Sequence, residues 1–209
     1  MNHKEDILNA AIAEFGRNGY KAASTNEIVR QAGVSKGLLF HHFKNKETLY
    51  TACQLFVLEE YAKFMTTQAD FTSKDFFERI LSNLRIKMEF GRKNENYLAL
   101  INRAWHTEGE GNPIKQQEAV EQIINKYGQN GQNGQYGQGQ FLNEIDLSLF
   151  RDGMEPARVM DICRLTLEAG WLRFSQRHKH NMQAILADIN TYFEECDYVV
   201  ALLKRGAYK

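Results

Sequence analysis

Apolar and polar positions alternate along this chain with the period of helices. Ile7, Leu8, Ala11, Ile12 and Phe15 share one face of a helix over residues 4–18, which Gly19 stops. Ser24 and Thr25 can each cap a second, short helix whose apolar face is Ile28, Val29 and Ala32. Gly33 interrupts, and Ser35 is a fresh cap for a third helix carrying Leu39 and Phe43. From Asn45 a long fourth helix sets Leu49, Cys53, Phe56, Val57, Tyr61 and Phe64 at 3.6-residue spacing. Further helices are predicted near 74–90 and 95–108, and from Asn112-Pro113 to about Tyr127. Pro156 opens another, running through Gln176. The last, over 182–204, has the cleanest pattern: Met182, Ile185, Leu186, Ile189, Phe193, Cys196, Val200 and Leu203. No segment sustains a period of two. The fold class is all-α, about nine helices.

One segment breaks the pattern. Residues 128–140, GQNGQNGQYGQGQ, hold five Gly, five Gln, two Asn and one Tyr, which reads as a flexible solvated loop rather than a Gln/Asn-rich recruitment segment.

Composition changes this picture little. The 209 residues are 43% apolar and 25% charged, an ordinary globular balance that excludes a wholly disordered or fibrous chain. The three cysteines, Cys53, Cys163 and Cys196, form no CxxC pair and fall on apolar faces, so they behave as small hydrophobes in a reducing compartment. No stretch approaches the roughly 18 apolar residues of a spanning helix, and the N-terminus is acidic where a signal peptide is basic. The expected location is the cytoplasm. Lys plus Arg equals Asp plus Glu at 26 each, so contact with nucleic acid requires a local basic patch.

Residues 25–43, TNEIVRQAGVSKGLLFHHF, supply one. Two short helices with Gly33 in the tight turn between them are the pattern of a helix-turn-helix. Ile28, Val29, Ala32, Val34 and Leu39 lock the pair from inside, while Lys36, Leu38, His41 and His42 point elsewhere. Between Ile28 and Lys46 stand Arg30, Lys36, Lys44 and Lys46 and no acid, with Glu27 and Glu47 outside the stretch. Concentrated positive charge is what neutralises phosphates and releases their counterions.

These residues carry a resemblance. The segment ILNAAIAEFGRNGYKAASTNEIVRQAGVSKGLLFHHFKNKETLY is similar to the DNA-binding domain of TetR-family transcriptional regulators nearly end to end. The matching marks are AxxxFxxxGY at 11–20, TxxI at 25–28, AGVSKG at 32–37 and HFKNKE at 42–47. The resemblance implies a DNA-binding domain over 1–47 and an effector-binding and dimerising domain over 48–209. It assigns Thr25 to a phosphate, through hydroxyl and helix N-terminus. Lys36 and Gly37 open the recognition helix, and Gly37 lets the backbone approach the bases. Leu38 fills a slot often polar in the family, where an apolar side chain can meet a thymine methyl but no hydrogen-bonding base edge. His41 and His42 can reach bases or phosphates, and Lys46 resembles the family's phosphate-binding lysine. Phe40 departs from the usual Tyr and forfeits a hydroxyl–phosphate bond of about 1 kcal/mol.

For the remainder, Phe64, Phe90, Tyr97, Trp105, His106, Trp171 and Phe174 are candidates to line a pocket for a flat or hydrophobic effector, with Arg103, Glu108 and Glu168 as its polar groups. Gly170, beside Ala169, suggests close helix approach, either inside one chain or across a dimer built from the last two helices, 156–176 and 182–204. His178 and His180 read as a solvated loop. The expected protein is a homodimeric, ligand-responsive repressor on a palindromic operator in double-stranded DNA, with the fourth helix as lever between effector and DNA. It needs no cofactor, metal or membrane. The competing classes are a helical-bundle enzyme or small-molecule binder, for which no convergent acid–base or metal set is found, and a sequence-indifferent DNA binder, which neutral net charge disfavours.

Overall fold

The computed structural model describes residues 3–69, 71–106, 121–123, 126 and 144–209, and side chains in that set except 104–106. Every extended regular element among them is a helix. These are α1 (His3–Ala22), α2 (Thr25–Ala32), α3 (Lys36–His42), α4 (Lys46–Gln68), α5 (Phe76–Lys93), α6 (Glu95–His106), α7 (Pro156–Arg177), α8 (Met182–Ala187) and α9 (Ile189–Ala207). A 3-10 turn spans Leu147–Leu149. The helix expected over 113–127 lies outside the described residues except at 121–123 and 126, which are helical; the Gly/Gln segment and Glu108 lie outside them altogether. None of the described helices is long and apolar enough to cross a membrane.

The chain divides into two compact units, residues 1–63 with 93–126, and 64–92 with 127–209. In the first unit α1 packs on α2 and α6. Gly16 lets α1 approach α6 closely: a Cβ there would lie 2.8 Å from the Asn96 Cβ and 3.0 Å from its Cα. α1 kinks where the sequence placed its end, because Gly19 adopts φ 73°, and the Arg103 guanidinium fills the space a side chain would need, 2.8 Å away. Ile7, Ala11, Phe15, Ile28, Leu39 and Tyr50 are wholly buried in this unit. Phe15 meets Tyr50 edge-on at 4.8 Å.

The second unit is closed by its own C-terminus. Phe76, Phe77, Phe150 and Tyr208 form an aromatic cluster with centroids 5.0–6.0 Å apart. The Tyr208 hydroxyl accepts from the Phe76 amide at 3.1 Å and donates to Asp75 at 3.3 Å, while Lys204 pairs with Asp75 at 2.6 Å. Arg79, 1% exposed, is satisfied by main chain: its Nε donates to the Ser73 carbonyl at 2.9 Å and its Nη2 to Phe71 at 2.8 Å. α7 and α9 pack against each other. All three cysteines are buried and free.

One expectation is corrected here and two are refined. The helix predicted over 182–204 is two helices, broken at Asp188, where φ −104° and ψ 14° leave the helical region. Its carboxylate accepts from Thr191 Oγ1 at 2.6 Å and pairs with His178 Nε2, ten residues back, at 3.0 Å, a partner that periodicity does not register. The His178–His180 loop is solvent-exposed at Lys179 and His180 and is anchored to its helix: His178 lies 4.7 Å from the Phe174 ring, and His180 Nδ1 shares a hydrogen bond with the buried Ser175 at 2.8 Å. Among the described residues no close packing forces Gly170, since a Cβ would stand an ordinary 4.0 Å from Tyr192.

Candidate nucleic-acid interface and effector residues

Local capping builds the α2–α3 pair. Ser24 accepts from the Glu27 amide at 3.4 Å, and Ser35 from the Leu38 amide at 3.2 Å. Gly33 ends α2 in the left-handed region at φ 65°, and its amide bonds the Val29 carbonyl. Asn45 and Thr48 cap α4 reciprocally, each side chain accepting the other's amide, at 2.8 and 3.1 Å. Ile28 and Leu39 are fully buried, whereas Val29, Ala32 and Val34 are half-buried. A residue that periodicity passed over completes the frame. Glu14 on α1 is 4% exposed, and its carboxylate accepts the Ser24 amide at 2.9 Å, tying α1 to the start of α2. Its negative charge also suits a helix N-terminus.

The outward face of α3 is polar and open. Lys36, Gly37, His41 and His42 are exposed, and Leu38 and Phe40 are half-buried. The His41 and His42 rings stand edge to face at 5.5 Å. Lys36 Nζ is held 3.0 Å from Asn26 Oδ1, which fixes it across the gap between α2 and α3. Thr25, half-buried, begins α2. Lys46 donates to the Lys21 carbonyl at 3.2 Å and lies 5.0 Å above the Tyr20 ring, so it is positioned by α1. Arg30 differs from the other basic residues. Its Nε is 2.9 Å from Glu27, and hydrogen bonds from Arg30 and then Gln31 hold the Glu27 carboxyl down to about 2. That pairing leaves Lys36, Lys44 and Lys46 as the stretch's cations outside an internal ion pair.

The candidate effector residues fall into separate environments. Phe64 and Phe90 lie 5.3 Å apart within the second unit. Trp171 packs there with Tyr192 at 5.2 Å and Phe174 at 6.3 Å, closing α7 on α9. Glu168 is half-exposed and bonded to Arg164 at 3.1 Å. Tyr97 belongs to the first unit, 6.2 Å from Phe56, and burial followed by the charge of Glu60 pushes its hydroxyl above the usual tyrosine range. Arg103 lies against Gly19. The side chains of Trp105 and His106 lie outside the described set.

Three polar groups were invisible to sequence reading. Burial lowers the Lys87 ammonium below the usual lysine value against the opposing pull of Glu168. Gln54 is 4% exposed in the middle of α4, and among the described residues neither atom of its carboxamide has a hydrogen-bond partner; Asn102 Nδ2 on α6 is likewise buried and unpaired.

Residues 7–53 match the family model for bacterial regulatory proteins, tetR family. Over 72 residues, 33% of this chain, the sequence is 40% identical to the transposon Tn10 TetC protein of Escherichia coli, covering 35% of that protein. Over 50 residues, 24% of the chain, it is 50% identical to the HTH-type transcriptional regulator QacR of Staphylococcus aureus, covering 27% of it. The chain thus spans half or less of the length of the curated relatives it matches. Its fold is similar to that of SmeT, the repressor of the Stenotrophomonas maltophilia multidrug efflux pump SmeDEF, with TM-score 0.61 and 15% identity over 99% of this chain and 90% of that one. The structure of a SmeT–triclosan complex aligns at TM-score 0.57 and 16% identity, over 100% and 93%. At those identities the likeness is one of fold.

Proposed function

We propose, from the match of residues 7–53 to bacterial regulatory proteins of the tetR family, that the chain is a member of that family and a sequence-specific DNA-binding transcriptional regulator, a ligand-responsive homodimeric repressor. Residues 1–47 bind DNA, and 48–209 bind the effector and dimerise. The observation that carries this reading is the α2–α3 pair itself: internally capped, locked by buried Ile28 and Leu39, and presenting an exposed face with no acid between Ile28 and Lys46. α3 enters the major groove, where Gly37 brings the backbone close and Leu38, His41 and His42 meet base edges. Thr25, Lys36 and Lys46 hold phosphates and set the register; Phe40 packs without contributing a hydroxyl.

Dimerisation is supported by the exposed apolar side chains of the last two long helices. Ile162, Leu165 and Leu172 on α7 and Tyr198 and Leu202 on α9 are 39–68% exposed. Their spacings of three, seven and four residues keep each set on one helix face. A self-complementary face of this kind suits a twofold interface and a palindromic operator. The effector is small and hydrophobic or aromatic, in keeping with the aromatic lining candidates and with the triclosan complex of SmeT. It releases DNA by binding one separation of the two heads better than the other. Replacing His41 and His42 together by Ala tests the assignment of α3. Both are exposed, so the fold persists, while preference for the operator over random duplex is lost and salt-dependent non-specific binding stays. Unchanged preference would remove α3 from base readout.

A further inference from the structure

A buried carboxamide with nothing to bond is an unusual feature in a folded protein, because amide groups leave water only when a partner replaces it. Gln54 is such a group. It sits on α4 among Tyr50, Cys53 and Val57, all wholly buried, and it is 4% exposed itself. Among the described residues both Oε1 and Nε2 lack a partner. α6, which touches α4 where Tyr97 meets Phe56, carries a second unpaired donor, Asn102 Nδ2. A leucine or methionine would fill the same helical position without leaving polar atoms unpaired. Charge is absent as well: residues 48–58 of α4 on both sides of Gln54, and residues 96–102 of α6, contain no Asp, Glu, Lys, Arg or His. A charged ligand group placed there would meet no counter-ion on either helix stretch, and an uncompensated buried charge is strongly disfavoured.

We propose that Gln54 is the polar anchor of the effector site, its carboxamide hydrogen-bonding a neutral donor–acceptor pair, the cis N–H and C=O edge of a lactam, on an otherwise apolar ligand. Asn102 Nδ2 donates to an acceptor on the same ligand. A carboxamide offers one acceptor and two donors side by side, and the cis N–H and C=O of a lactam return the complement from one edge. A site that hydrogen-bonds its ligand in this way rejects analogues lacking the group more sharply than it rejects changes in apolar bulk. The inference rests on the effector-binding reading above and names the chemistry of that effector.

The test uses the full chain and three bicyclic probes: 3,4-dihydro-2(1H)-quinolinone, a neutral lactam with N–H and C=O on one edge; dihydrocoumarin, the lactone that keeps the acceptor and lacks the donor; and 2-naphthoate, which is charged. Binding is read by saturation-transfer NMR and by the shift in thermal midpoint at millimolar probe. The wild-type chain binds the lactam, the lactone more weakly and the naphthoate not at all. Gln54→Met loses lactam affinity by about tenfold, one hydrogen-bonded group's worth, and without probe it melts no lower than wild type because the orphaned amide is gone. Gln54→Leu carries the same comparisons should the shape of methionine not suit the site. Three results would each overturn the proposal: no lactam binding by wild type, equal lactam binding by the variants, or thermal midpoints for both Gln54→Met and Gln54→Leu below that of wild type, which would make the carboxamide a structural group. DNA binding by the same preparations is measured separately. Its loss in wild type would count against the regulator reading and leave the probe comparison standing.

Discussion

Leu165→Lys separates a functional apolar face from an incidental one. Leu165 is 56% exposed on α7, between Ile162 and Leu172 on the same face. Complete transfer of a leucine from water to an apolar surface contributes roughly 1.5–3 kcal/mol, so docking its exposed half against a partner contributes about 1 kcal/mol. A twofold interface uses the residue twice, and losing both contacts weakens association by about 2 kcal/mol, roughly thirtyfold. The ammonium adds to this. Placed at the rim it reaches water along its own stem, and placed centrally it costs several kcal/mol, so the total loss lies between about thirtyfold and about a thousandfold. The substitution does not disturb α7 itself, because Asp161 and Glu168 stand four residues before and three after it and stabilise a lysine on the helix surface. Sedimentation equilibrium of wild type and variant across a wide concentration range reads the effect, with helicity checked by circular dichroism. Leu147→Lys, at an equally exposed apolar side chain outside α7 and α9, leaves association unchanged. A variant that dimerises within about threefold of wild type, or a wild-type chain that never dimerises, refutes the assignment of this face.

Other consequences are narrower. Lys46→Ala weakens binding about equally on all DNA sequences and lowers the salt slope by about 1, read by anisotropy titrations at several salt concentrations; altered base preference would remove Lys46 from the backbone. Phe40→Tyr restores a phosphate-bonding hydroxyl and tightens binding on specific and random duplex alike by about 0.5–1.5 kcal/mol, measured the same way. Asp75 gives a pH dependence. Burial works to raise its carboxyl, but hydrogen bonds from Lys204 and from the amides of Glu78 and Phe77 win, and its folded value lies below the ordinary one. Its stabilising contribution is therefore present above the unfolded value of about 3.9 and is lost as pH falls through the lowered folded value. Asp75→Asn should melt lower than wild type at neutral pH and converge with it in acid; a difference that persists undiminished in acid would mean the carboxylate's charge is not what stabilises the second unit.

What the sequence disclosed follows from the range of the forces involved. Ser24, Ser35, Gly33 and Asn45 act on neighbours within four residues, so the starts and stops of α2, α3 and α4 were readable from local chemistry. Gly19 was readable as a stop, but not as the seat of Arg103, more than eighty residues on. The Asp188 break depends on His178 as well as Thr191, and Glu14 works through an amide ten residues away, so neither has a periodic signature. Gln54 was hidden for another reason. It lies within one turn of Tyr50, Cys53 and Val57, and only the burial of its own carboxamide without a partner marks it out. The α3 face and the effector residues differ in the same way. A helix-turn-helix is short and self-contained, whereas a pocket is assembled from distant segments with no fixed spacing.

The central claim is specific recognition of DNA by a dimer, and selection from a randomised duplex library at about 0.15 M salt, where purely ionic binding is suppressed, tests it most directly. The account predicts enrichment of an inverted repeat whose half-sites are spaced by about one helical turn or a multiple of it. Recovery of no motif by folded, ligand-free protein would contradict it.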